Sequence, residues 1–250
     1  MSSPPAPLSS IPSSRPPAPP PWAAPPSASA TAPGRKPSLP SASPASTVTL
    51  DLSSPAAREA RSLMLAREPE PAHALQVTRL ALRLFDLLAP VHLLKPADRT
   101  LLQCAALLHD TGWSLSPSGK AHHKHSADII RAHSWQSLEP RETEIVAQAA
   151  RYHRKKLPTT GHKPYARLEH AERQRLCRIA ALLRIADALD RSHTANIRSL
   201  AAHIEPAAVT LRATSRTPAH EEEYGFLKKR DLFIAHFERA ITLDVRSRPR

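Results

Sequence analysis

The sequence predicts a mainly α-helical protein: a helical bundle with a small C-terminal β-α-β appendage, preceded by a disordered N-terminal tail. Three observations predict it. Apolar residues recur at helical spacing from Pro55 to about residue 191. Near the C-terminus the period shifts to alternation. Residues 1–55 hold 16 of the 27 prolines and little else but Ser, Ala and Thr. Such a segment buries too little apolar surface to offset its ordering entropy. The expected organisation is a tail over 1–52, a helical domain over 53–200 and a small α+β extension over 201–250. No internal repeat is visible.

Each element has a local cause. Ser54-Pro55 reads as an N-cap followed by proline at the first helical position, which starts a short helix over 55–67. A second helix runs from about Pro71 to Leu88, with Leu75, Leu80, Leu84, Leu87 and Leu88 marking its apolar face. Pro90 and Pro96 flank the next loop. A third helix covers 97–110 and stops at Gly112. After a loop over 114–121, helical segments are expected at about 123–133, 139–152 and 167–191. In the last, Leu176, Ile179, Ala180, Leu183, Ala186 and Leu189 face one way. Residues 208–213 and 240–245 alternate like strands, with a helix at roughly 219–237 between them.

Composition narrows the function. The net charge is +13, and only about +2 of it (Arg15, Arg35 and Lys36, less Asp51) lies in the tail. A strongly basic folded part favours polyanionic partners such as nucleotides, polyphosphate or nucleic acid; a solvated arginine-rich surface is the plainer explanation. Aromatic residues make up only 4% of the chain, so stacking along single-stranded nucleic acid is poorly supported and nucleic acid is the less expected partner. No apolar run reaches the roughly 18 residues of a membrane span, and no secretory signal is visible. Cys104 and Cys177 sit in apolar helical patterns and read as reduced core thiols. A cytoplasmic location is expected. Zinc-finger spacing, a Walker loop and a dinucleotide-binding glycine motif do not occur.

The most informative feature is His109-Asp110, which ends the apolar run Cys104–Leu108. A histidine and a carboxylate at the end of a buried helix can both turn toward one cation. Asp187 lies inside Leu183-Arg-Ile-Ala-Asp-Ala-Leu189, a costly place for a carboxylate unless it is paired or binds a metal. His73 lies near the start of the second helix. Each has an ordinary explanation: a surface histidine for His73, pairing with Arg184 or Arg191 for Asp187, a solvated helix end for His109-Asp110. One divalent ion (Mn, Mg, Fe or Zn) shared by His73, His109, Asp110 and Asp187 replaces three coincidences with one cause.

The order His, His-Asp, Asp on successive helices resembles the HD phosphohydrolase superfamily. Five ordered segments resemble a narrower group: 73–88, 105–113, 122–126, 151–155 and 183–193. They are similar to the C-terminal HD-like domain of the exopolyphosphatase/guanosine pentaphosphate phosphohydrolase family, over roughly residues 55–245. The resemblance implies an HD-type bundle, a polyphosphate or nucleotide ligand, and a homodimer. His125 and His153 resemble the additional ligands of two-metal HD domains, with His122 and His123 as further candidates; loop histidines beside a polyanion groove are the alternative. In full-length relatives, phosphoanhydride hydrolysis belongs to an actin-like N-terminal domain, which residues 1–55 cannot supply.

Basic residues crowd the same segments. Lys124, Arg151, Arg154, Lys155, Arg184 and Arg191 are the candidate phosphate-binding residues, with guanidinium forks for phosphate oxygens and lysines as point charges. Two functions follow as expectations. One is a metal-dependent phosphohydrolase acting on a phosphoester or phosphoanhydride, its catalytic acid or base unassigned. The other is a non-catalytic polyphosphate- or nucleotide-binding regulatory module.

Overall fold

Proline and carboxylate side chains at helix starts lay out much of the architecture. The computed structural model describes residues 52–247 apart from 69, 70 and 117. The expected disordered tail, except for Leu52, lies outside the described residues. The helical part comprises α1 (Pro55–Leu65), α2 (Ala72–Leu87), α3 (Ala89–His92), α4 (Pro96–Leu108), a 3₁₀ turn (Thr111–Leu115), α5 (His122–Ala132), α6 (Pro140–Tyr152), α7 (Lys163–Ala166) and α8 (His170–Ala188). Proline occupies the first turn of α1, α4 and α6, where its missing N–H costs no helical hydrogen bond. Asp98, Glu142 and Glu172 each reach back to accept a backbone N–H at the helix start, from Lys95 at 2.8 Å, Glu139 at 3.2 Å and Glu169 at 2.8 Å. Each satisfies a donor that the helix itself leaves over.

The long helix α8 is the axis of the core. Sequence periodicity gave it a single apolar face, yet Ile179–Ala188 is buried on every side, Arg184 and Asp187 included. It packs against α2, α4, α6 and, at its C-terminal half, α9 (His220–Lys229) and α10 (Asp231–Phe237). Arg184 is 2% exposed. Its guanidinium donates to Asp231 Oδ1 at 2.7 Å, the Tyr152 carbonyl at 3.1 Å and the Lys229 carbonyl at 3.3 Å. Those partners carry a charge that burial alone would expel.

The C-terminal sheet has the order β1-β2-β3, with β1 (Ile197–Ile204), β2 (Ala208–Ser215) and β3 (Ala240–Ser247). β2 and β3 run parallel in the register Ala208↔Ala240 to Ser215↔Ser247, with α9 and α10 as the crossover. That is the expected β-α-β unit. An antiparallel strand, β1, adds to it in the register Ile204↔Val209, with an irregularity between Ile197 and Ser199. β1 was not expected, and it passes through residue 200, where the sequence reading drew a boundary. All described residues belong to one packed unit. β1 is tied to α2: Gln76 and Arg79 both donate to the Ile197 carbonyl, at 2.9 and 2.7 Å. Among the described residues, no helix is long and apolar enough to cross a membrane.

Candidate metal centre

Five helix ends meet at one place. His109 is the C-cap of α4 and His153 the C-cap of α6. His122 opens α5, His73 lies in the first turn of α2, and Asp187 in the last turn of α8. The 3₁₀ turn after Asp110 brings α5 in. Gly112 donates its N–H to Ser126 Oγ at 2.9 Å, and Ser126 Oγ donates to the His109 carbonyl at 2.7 Å. A β-carbon at residue 112 would lie 2.1 Å from the His122 carbonyl oxygen and 2.4 Å from the Ser126 nitrogen. Only glycine allows α5 this close, and the approach sets His122 beside Asp110.

The donors fall into two groups. His73, His109 and Asp187 form one; Asp110, His122 and His153 form the other; within each group all donor atoms lie within 4.8 Å of one another. That spacing suits donors around a single cation at roughly 2.0–2.4 Å each. The Asp110 carboxylate joins the groups. Its Oδ1 faces His122 Nε2 at 3.2 Å and His153 Nε2 at 3.5 Å, and its Oδ2 faces His109 Nε2 at 3.5 Å and His73 Nε2 at 3.8 Å. Asp110 Oδ1 is buried without a hydrogen-bond partner.

The imidazoles are oriented from behind. His109 Nδ1 donates to the Ala106 carbonyl at 2.8 Å, His153 Nδ1 to the Ala150 carbonyl at 2.6 Å, and His122 Nδ1 to the Gly119 carbonyl at 3.0 Å. His73 Nδ1 donates to Asp190 Oδ2 at 2.8 Å. A carbonyl accepts only, so Nδ1 of His109, His153 and His122 carries a proton and Nε2 turns inward. Fixing the tautomer through the outer nitrogen is how metal-ligating histidines are held.

Electrostatics agree with the geometry. Burial works against charge on Asp110, but His109, His122 and His153 outweigh it and hold the carboxyl well below its usual range. Burial likewise opposes charge on Asp187; Lys229, then His73, reverses this and keeps it ionised. Lys229 Nζ contacts Asp187 Oδ2 directly. His73 is opposed by burial, yet Asp187, Asp190 and Asp110 lift it to about 10. Glu68 moves the other way for a carboxyl: burial, then the Asp110 charge, raises it to about 8. Burial drives His153 well below its usual range.

All four residues expected to share an ion, His73, His109, Asp110 and Asp187, come together. His153 joins through Asp110. His125 does not: His122, one turn earlier on α5, holds the place beside His153 and Asp110. The sequence reading also missed Asp190, which orients His73; His193, whose ring stacks on His73 at 3.7 Å between centroids; and Lys229. Asp190 and His193 follow Asp187 by three and six residues, within the resembling segment 183–193, and that placement is their only signal in the sequence.

A cavity of about 420 Å³ opens over these donors, walled by Arg154, Lys155, Arg191, Lys228 and Lys229 among others. Of the expected phosphate-binding residues, Arg154, Lys155 and Arg191 face it. Arg184 also lines it, with its donors already taken by α6, α9 and α10. Lys124 and Arg151 line a separate, adjacent pocket.

With the donors placed, the comparison with protein families decides the relationship. The model of Ppx/GppA phosphatase, domain III, matches residues 58–237. The chain belongs to this family. The match in the Ppx/GppA domain III chain takes in every donor from His73 to Asp187 and extends through α10. The relationship is to a phosphatase family, whose ligands are phosphorylated. No curated protein matches the chain.

Proposed function

We propose that this Ppx/GppA domain III chain is a metal-dependent phosphohydrolase acting on a phosphoester or phosphoanhydride: a nucleotide, guanosine tetra- or pentaphosphate, or polyphosphate. The observation that carries the reading is Asp110, whose two oxygens face two separate donor sets. Four imidazoles and two carboxylates suit Mn, Fe or Zn better than the all-oxygen preference of Mg. A bound divalent ion supplies Lewis acidity toward a phosphoryl oxygen and lowers the pKa of water.

The chain's own residues do the rest. His73 and Asp187, with Asp190 behind them, would hold one side of the site; His122 and His153 would hold the other. Arg154, Lys155 and Arg191 flank the cavity and offset phosphate charge as it enters, a contribution that grows where water is excluded. Trp113 stacks on His122, with ring centroids 4.5 Å apart, and limits how far that imidazole can swing. The test is elemental analysis of purified protein, then phosphate release from nucleotides, guanosine tetraphosphate and polyphosphate with Mn or Mg added. His109→Ala is expected to abolish release. Unchanged release in that variant would overturn the ligand assignment.

One observation favours a second reading. Lys229 contacts Asp187 and brings a fixed positive charge to the carboxylate that an ion would neutralise. A domain that uses Lys229 this way would grip polyphosphate or a nucleotide without hydrolysing it. Metal-free protein that binds polyphosphate would support that reading.

A further inference from the structure

Beside the metal cavity, and sharing Arg154 and Lys155 with it, lies a second pocket of about 370 Å³. Its remaining walls are Ala121, His123, Lys124, Arg151, Tyr152, Lys156 and His162. None of these described residues is Asp or Glu. Among the described residues, Lys124, Arg151, Arg154, Lys155 and Lys156 line this one pocket and form no ion pair with a carboxylate. Five cations converging without a counter-charge repel one another, and an anion relieves that repulsion.

The second observation is independent of charge. His123 is 9% exposed, and its Nδ1 is buried with no hydrogen-bond partner. Buried polar atoms of this kind are rare, because an unmade hydrogen bond costs roughly 1–3 kcal/mol. His123 also meets His122 and His153 edge to face, with centroids 5.9 and 6.4 Å away. Tyr152 and His162, also on its wall, share a hydrogen bond of 2.9 Å. Arginine forks, lysine point charges and a buried imidazole are the donor set that recognises phosphate oxygens.

We infer that this pocket is a separate phosphate-binding site, taking either inorganic phosphate or the phosphate of a monoester, and that His123, Lys124, Arg151 and Lys156 form it. It requires no metal, so it stands apart from the hydrolytic reading. Arg154 and Lys155 belong to both walls, so an anion held here bears directly on the charge available to the metal cavity.

The experiment uses the full chain treated with EDTA, with histidine side-chain ¹⁵N resonances followed by NMR and His123 assigned through His123→Gln. Phosphate, then glycerol phosphate, is titrated against chloride at matched ionic strength. The His123 ring resonances are expected to shift saturably with at least one phosphate probe and not with chloride; the tighter probe identifies free phosphate or ester as the preferred source. Lys124→Ala/Lys156→Ala is expected to raise the half-saturation concentration about tenfold, the loss of two charge contacts from exposed side chains. A response matched by chloride, no response to either probe, or an unchanged midpoint in the double variant overturns the proposal. Because the protein is free of metal, a failure of the hydrolytic reading leaves these outcomes intact.

Discussion

Asp190 fixes the ring of His73: Oδ2 accepts the Nδ1 proton at 2.8 Å, and Nε2 is left facing Asp110 and Asp187. Asp190 lies on the far side of the imidazole from the cavity and is fully buried. Its other oxygen accepts the Ala195 N–H at 2.9 Å, so the carboxylate is itself held. Replacing such an outer partner costs about 10–100-fold in metal affinity. Asp190→Asn is therefore expected to weaken Mn or Zn binding by that factor while leaving the circular dichroism spectrum unchanged. Calorimetric metal titration measures it.

Protonation competes with a cation for the same nitrogen. The folded His73 pKa of about 10 lies above its ordinary value, so in EDTA the folded state holds more protons than the unfolded state between about pH 6.5 and 10. The stability this contributes is complete below 6.5 and is lost as pH rises through 10. Glu68, raised to about 8, adds a similar decline that begins near its unfolded value of about 4.5. Melting temperature in EDTA should fall from pH 6.5 to 10, and Glu68→Gln should flatten only the part below about 8. A melting temperature that rises over this range would contradict the assignment.

Lys229 supplies the counter-charge to Asp187 when no ion does so. Lys229→Met is expected to lower the melting temperature in EDTA, because Asp187 is left buried with less compensation. Added Mn should raise the melting temperature more in this variant than in the wild type. Thermal scans with and without metal read both effects.

Arg184 and Arg191 look alike in sequence and differ in role. Arg184→Ala removes the tie among α8, α6 and α10 and strands buried acceptors. A loss of roughly 1–3 kcal/mol in urea unfolding is expected, less than for a fully buried pair because Asp231 is partly solvated. Arg191→Ala, at an exposed position over the Tyr224 ring, should change stability by less than about 0.5 kcal/mol and weaken phosphate binding instead.

The sequence exposed the donors where polarity broke an apolar pattern. His109-Asp110 and Asp187 stand out because their neighbours are Leu and Ala, and burial then follows from helical periodicity. The α5 histidine was harder. Ala121, with φ of 62°, starts α5 in a left-handed conformation, which is no recognisable cap, so the helix phase was open by one turn. His122 and His125 are one turn apart on one face. β1 hid for another reason: Ile197, Leu200, Ala201 and Ile204 have the spacing of a helix, and the irregularity near Ile197 breaks strand alternation. Asp190 acts across 117 positions of the chain, a pairing that no local pattern encodes.

Anomalous diffraction from crystals grown with Mn tests the shared role of Asp110 most directly. Two anomalous peaks, one beside His73, His109 and Asp187 and the other beside His122 and His153, with Asp110 between them, are the predicted result. A density map without anomalous signal in the cavity, or with Lys229 alone against Asp187, would contradict it.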